Sequence, residues 1–223
     1  MKRRYLLLTG TTLALLWTVP AQAQSPGFSL GVKAGTLGAG LEGNLELSEW
    51  CGLRLGANAM QFSMNETVDN VDYDADLRLR NATALLDLYP FQGVFRLTGG
   101  VMYNANEFEL EGRSSIPAVI NGHAYTPAEL GTLSGKAEFN SWAPYAGLGW
   151  SSRLGEEAGW GVAFDLGVVF QGHPQVTSLS ASGTYANNPQ LQADLERERV
   201  KVEDEFDGLK YYPVVSLIVH YNF

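Results

Sequence analysis

The sequence predicts an all-β protein: an eight-stranded antiparallel up-and-down transmembrane β-barrel with short periplasmic turns, long outer loops and one helix in the last outer loop. Three observations predict it. Residues 209–223, LKYYPVVSLIVHYNF, put Leu209, Tyr211, Pro213, Val215, Leu217, Val219, Tyr221 and Phe223 at every second position, and a period of two belongs to a strand. That row can cross a bilayer, since roughly 9 to 11 tilted residues suffice, and it carries aromatic residues at both ends, where rings favour the headgroup level. The connections also alternate: those near 48–51, 90–93 and 151–159 are short, and those near 65–75, 111–137 and 172–208 are long. This is the rhythm of periplasmic turns and outer loops, and it places both termini in the periplasm.

Residues 1–23 read as a secretory signal peptide: the basic Lys2, Arg3 and Arg4, an apolar stretch from Leu6 to Trp17, then Ala21-Gln22-Ala23, with cleavage expected after Ala23. The remainder, 24–223, is one barrel domain. Cys51 is the single cysteine, too far downstream for lipid attachment and unable to form an internal disulfide, so hydrogen bonding and packing must supply stability. Loss of the three leader cations reduces the 15 basic residues to 12, against 24 acidic ones. That balance argues against nucleic acid as a partner.

Strand one is Phe28 to Ala34. Apolar parity switches from even to odd across Gly35-Thr36, so a tight turn leads into strand two, Leu37 to Leu47. Strand three follows from Leu53 to Ala59, and 65–74 reads as a polar loop. Strand four spans about Asp76 to Tyr89, Pro90-Phe91-Gln92-Gly93 signals a turn, and strand five begins at Phe95. The Gly-, Ser-, Pro- and Thr-rich stretch 111–136 offers one helical turn at Pro127 to Leu130. Strand six holds Trp142 and Trp150, and strand seven alternates from Trp160 to Phe170. In the last loop Asn188 can cap a helix beginning at Pro189 and ending near Gly208, with Leu191, Leu195, Val202 and Phe206 at helical spacing. Strand eight closes the chain.

Charges on a lipid-facing row cost about 2–4 kcal/mol at the midplane, so the embedded ones should point inward. Hairpin folding brings Asp87 toward Arg96 and Glu46 toward Arg54. Lys33, Glu42, Arg80, Asp165 and Lys210 are expected to share the lumen with them. Eight strands enclose a space that side chains fill, so a polar plug of paired charges is expected and a general porin is not. Trp142, Trp150, Trp160, Tyr211, Tyr221 and Phe223 are expected as interfacial anchors.

No catalytic constellation is expected. His123 and His173 lie in long loops, His173 has no Ser two residues on, and His220 shares a face with Ser216 at the wrong depth for an outer-leaflet ester. Asp69, Asp72, Asp74 and Asp76 lack the glycine and terminal glutamate of an EF-hand loop. Solvated loop charge is the preferred reading over a divalent-ion site, and neither a metal nor a cofactor is expected.

Three motifs carry a resemblance across the whole mature chain: Ala34-Gly35-Thr36-Leu37-Gly38, Tyr73-Asp74-Ala75-Asp76-Leu77 and Tyr212-Pro213-Val214-Val215-Ser216. They resemble the small outer-membrane barrels of the OmpA and OmpW type and, more closely, uncharacterised proteobacterial outer-membrane barrel proteins. The resemblance implies an integral outer-membrane location, contact with outer-membrane lipids and lipopolysaccharide, and recognition of the C-terminal strand by the barrel assembly machinery. A monomer with a structural or surface-interaction role is expected. The OmpW likeness suggests the alternative of a narrow conduit or binding barrel for a small apolar molecule, and a lipid-modifying enzyme is the least favoured reading. The peptidoglycan-binding domain that follows the barrel in OmpA is not expected here, so cell-wall anchoring is not carried over from that resemblance.

Overall fold

The computed structural model describes residues 27–68, 70–151, 158–205, 208 and 210–223. The leader with its cleavage site at Ala23, and Asp69, Phe206 and Leu209, lie outside them. In chain order the elements are β1 (Phe28–Gly35), β2 (Gly38–Ser48), β3 (Cys51–Val68), β4 (Val71–Leu88), β5 (Phe95–Asn104), β6 (Glu107–Ser114), β7 (Ala118–Ile120) and β8 (His123–Tyr125). Then come α1 (Pro127–Leu130), β9 (Thr132–Glu138), β10 (Trp142–Ser151), β11 (Gly159–Phe170), β12 (Gln175–Ala181), α2 (Pro189–Glu205) and β13 (Tyr211–Asn222). Neither helix is long and apolar enough to cross a membrane.

Eight strands close a hydrogen-bonded ring in the order β1-β2-β3-β4-β5-β10-β11-β13, with β13 returning to β1. The seam is antiparallel, Ser29 opposite Asn222 through to Gly35 opposite Ser216. Closure leaves no ring strand with an unpaired edge. The tight turn expected after Gly35 is present, and Gly38 follows it at φ 105°, a conformation that glycine adopts without strain.

The long outer connections are not the loops that the sequence suggests. β3 and β4 pair without interruption from Cys51 opposite Leu88 to Val68 opposite Val71, so the expected polar loop at 65–74 is a hairpin arm. Apart from Glu66, which faces Tyr73, its polar residues occupy one face. Ser63, Asn65, Thr67, Asp72, Asp74 and Asp76 alternate with Phe62, Met64, Tyr73, Ala75 and Leu77, which is strand periodicity in a polar disguise. Beyond the ring, β4 pairs with β6, β6 with β9 and β9 with β12. The sheet extension thus built forms a head on the ring, together with α1, α2 and the β7–β8 hairpin.

The head has two chemically distinct faces. The register aligns Leu77 with Phe108, Ala75 with Leu110 and Gly112 with Leu133, giving an apolar face, while Asp74 opposite Glu111 and Asp76 opposite Glu109 give a polar one. α2 and the hairpin cover part of the apolar face around Ile120, Tyr125, Leu130, Leu191 and Leu195, all buried. Asn188 caps α2 as expected, its Oδ1 accepting from the Gln190 amide at 2.8 Å, and the helix is described as far as Glu205, with residues 206 and 207, before its expected end near Gly208, outside the described ones.

Candidate functional site

Strand alternation sends one residue in two toward the ring axis. Six of those inward residues are charged and lie on six strands: Lys33 (β1), Glu42 (β2), Arg54 (β3), Asp87 (β4), Arg96 (β5) and Asp165 (β11), every one of them buried. Arg54 is the hub. Its guanidinium lies 3.4 Å from Glu42, 3.0 Å from Asp87 and 2.5 Å from Asp165, and Nη2 donates to Thr98 Oγ1 at 3.2 Å. Lys33 Nζ donates to Glu42 at 3.2 Å. Arg96 Nη2 donates to Asp165 Oδ1 at 2.6 Å and its Nε lies 3.8 Å from Asp87. Three cations therefore meet three carboxylates, the condition under which charge is tolerated away from water. Space for these long side chains comes from Gly149, where a Cβ would fall 2.3 Å from Asp165 Oδ1.

Toward the head the filling changes character. Leu37, Leu85, Met102, Ala143, Tyr145, Val169 and Val214 form a buried apolar layer. Amides follow: Asn58 Nδ2 donates to Asn81 Oδ1 at 2.7 Å, Asn81 Nδ2 to the Leu37 carbonyl at 3.0 Å, and Asn104 Nδ2 to Gln171 Oε1 at 3.4 Å. At the end nearer the termini His220 and Asn222 are buried.

Several expected positions need correction. Glu46 faces Gly52 and Arg54 faces Asn44, so the carboxylate beside Arg54 is Glu42 and Glu46 is half-buried near the turn. Asp87 faces Thr98, which donates to its Oδ1 at 2.6 Å, rather than Arg96 directly; the expected Asp87–Arg96 pair is nevertheless present at 3.8 Å, with Asp165 the nearer carboxylate to Arg96 at 2.6 Å. Arg80 is exposed on the outward row. Inward residues of β4 are odd-numbered, from Leu79 to Asp87, and a regular strand cannot send an even-numbered residue the same way. Lys210 precedes β13, half-buried, with its ammonium 5.6 Å from the Tyr211 ring centroid.

The outward row is apolar and ends in two aromatic belts. Near the termini Phe28 stacks on Phe223 at 5.8 Å, Tyr221 meets both Phe223 and Trp160, and Trp150 lies between Phe95 and Phe164. At the head end Trp142 meets Tyr103 at 5.3 Å and Tyr211 meets Phe170 at 5.8 Å. Between the belts, Leu30, Val32, Leu41, Leu55, Leu97, Val162, Leu217 and Val219 are exposed.

In the head, Ile120-Asn121-Gly122-His123 makes a two-residue hairpin turn with Asn121 at φ 48° and Gly122 at φ 86°, the Asn-Gly chemistry that suits such turns. Asp194 of α2 locks that hairpin. It accepts from Asn121 Nδ2 at 3.0 Å and Tyr125 Oη at 2.7 Å, and His123 Nδ1 is 2.8 Å away. The Tyr125 hydroxyl, then Asn121, hold the Asp194 carboxyl well below the usual carboxylate range. The same bond pushes the Tyr125 phenol up to about 12. The His123–Asp194 pair ties the hairpin to α2 with the imidazole exposed and the carboxyl buried. Asp72, Asp74 and Asp76 lie on the polar face of a strand, and among the described residues no cluster is arranged to hold a metal ion.

No family model matches the chain, and the search of curated proteins found no match. The ring and head do resemble two solved structures of outer-membrane β-barrel proteins from Acinetobacter baumannii. CarO2 is 20% identical with a TM-score of 0.60 over 90% of this chain and 100% of its own. CarO is 21% identical with a TM-score of 0.56 over 87% of this chain and 97% of its own. The chain has their fold. Identities this low establish architecture alone, and they do not single out the OmpA or OmpW type.

Proposed function

We propose that the chain is an integral outer-membrane β-barrel protein whose interior is closed by its own side chains and which displays a folded head at the cell surface, in a structural or surface-interaction role. One observation carries this: the inward row assembles three cations and three carboxylates while the outward row is apolar between two aromatic belts. In water that arrangement would be inverted at large cost, whereas in a bilayer both rows are satisfied. The turns near the termini then face the periplasm, outer-membrane lipids and lipopolysaccharide surround the ring and head, and the C-terminal strand ending in Phe223 is the segment offered to the assembly machinery. The protein acts as a monomer without enzymatic activity. Within the small-barrel types, the filled interior favours OmpA-like plugging over an OmpW-like conduit.

Refolded protein in planar bilayers and in swelling liposomes tests this. Expected are protein in the outer-membrane fraction of cells, no steady conductance, no solute-dependent swelling, and unchanged lipid A masses in cells with and without the protein. Stable conductance from the wild type would overturn the plugged interior, and recovery of the folded protein in the soluble periplasmic fraction would overturn the membrane assignment.

A further inference from the structure

The head contains a cavity of about 330 Å³ between the apolar face of its sheet and the elements that lie over it. Val71, Phe108, Leu110, Leu130, Leu133 and Leu179 are among its walls, and it is partly open to solvent. Of the side chains that line it, only that of Lys136 is charged. Lys136 belongs to the sheet's polar row, where Glu109 is its partner in register, and its ammonium lies 2.8 Å from Glu138 and 3.4 Å from Glu107. Water in such a space finds almost no hydrogen-bond partners, and apolar cavities of this kind stay dry or take up apolar guests. A carboxylate or ammonium group would enter without a counter-ion, at high cost. The volume falls within the range of small-molecule sites, roughly 300–1,000 Å³.

Two glycines keep the space open. A Cβ at Gly135 would sit in ordinary contact 3.6 Å from Leu179, and one at Gly112 would sit 3.6 Å from the Tyr73 ring. Neither position needs glycine for its backbone, since no positive φ is found at either, so a larger residue could fill the cavity without strain.

From this we infer that the head cavity is a binding site for an uncharged, mainly hydrocarbon molecule, distinct from the ring interior. The strand parity that lines the ring's interior also lines this cavity. Amides at Asn58 and Asn81, followed by the apolar layer, separate the two spaces. The bound molecule is therefore held at the surface rather than passed inward.

The test uses the full protein in phospholipid vesicles, a neutral long-chain alcohol carrying a photoactivatable diazirine, and peptide mapping by mass spectrometry. Expected is saturable labelling of segments 130–133 and 176–179, competed by the unlabelled alcohol and lost in both Gly135→Phe and Gly112→Leu. Labelling of the outward ring residues serves as the folding control and stays unchanged in both variants. Ring labelling with an unlabelled wild-type head, or head labelling that persists in either variant whose ring pattern is intact, would overturn the site. Absence of ring labelling in the wild type would instead count against the membrane assignment, so the two failures are distinguishable.

Discussion

Replacing Arg54 with Met removes the hub of the buried ion network while nearly preserving its volume. Arg54 faces carboxylates at 2.5, 3.0 and 3.4 Å, and Arg96 and Lys33 are the cations that remain. Three carboxylates would then share two positive charges in a space that water does not reach. Breaking a buried pair by deleting one partner costs about 3–5 kcal/mol, most of it from the charge left behind. The expected loss for Arg54→Met is in that range. Neutralising the surplus carboxylate in Arg54→Met/Asp165→Asn should return roughly half of it or more, because the two sites are directly coupled. Urea unfolding from vesicles, followed by the fluorescence of the outward tryptophans, measures both variants. A single-variant cost under about 1 kcal/mol, typical of a solvated surface pair, would refute the reasoning. So would a double variant that loses as much as its two parts added.

Arg80→Leu should change stability by less than about 1 kcal/mol, since Arg80 is exposed at the head end of the ring, where a long cation reaches the interface; a loss matching that of Arg54→Met would show that it faces inward. Gly99 and Gly100 are adjacent yet should behave oppositely. A Cβ at Gly100 would lie 2.2 Å from the Ala84 carbonyl oxygen, while one at Gly99 meets nothing within 4 Å. Gly100→Ala should therefore cost about 1–3 kcal/mol in the same unfolding assay, and Gly99→Ala almost nothing. The α2–hairpin lock should depend on pH at both extremes. The Asp194 carboxyl is lowered from 3.8, so its contribution is present above that value and fades as pH falls through the lower folded value. The Tyr125 phenol is raised from 10.0 to about 12, so its contribution is present below 10.0 and fades as pH rises through about 12. Amide exchange in 118–125 and 189–205, corrected for intrinsic rate, should accelerate at both ends, and Asp194→Asn should accelerate it at neutral pH. Flat protection across the range would refute the lock.

The ring was legible because its strands repeat a period of two with an apolar row on the outside, a signal that local chemistry does not mask. Within it, Arg80 was misplaced although the information was at hand: Arg80 and Asp87 have opposite parity on one strand, so both cannot face the axis. Glu46 was misplaced for another reason. Its partner depends on the β2–β3 register, which slips between Glu46 and Ser48, and a bulge at a turn leaves no clear mark in composition. Asp165 was expected inside, but its bridging of Arg54 and Arg96 depends on strands distant in sequence becoming neighbours across a narrow lumen. The head was missed because its strands are half polar, so acid-rich segments such as 65–74 read as solvated loop. Two signals were available there: the alternation of Phe62, Met64, Tyr73 and Leu77 with polar residues, and the Asn121-Gly122 pair between short apolar runs. The Asp194 lock had no sequence signal, since it joins α2 to a hairpin about 70 residues earlier.

The β3–β4 hairpin serves two environments with one uninterrupted ladder of eighteen residue pairs. Losing one residue from the middle of either arm would exchange the faces of everything beyond it, moving Tyr73 and Leu77 to the polar face and Asp74 and Asp76 to the apolar one. Insertions and deletions within these arms can therefore be accepted only in steps of two, with matching steps in the opposite arm. Among descendants of this sequence, the height of the head above the membrane should vary in even increments.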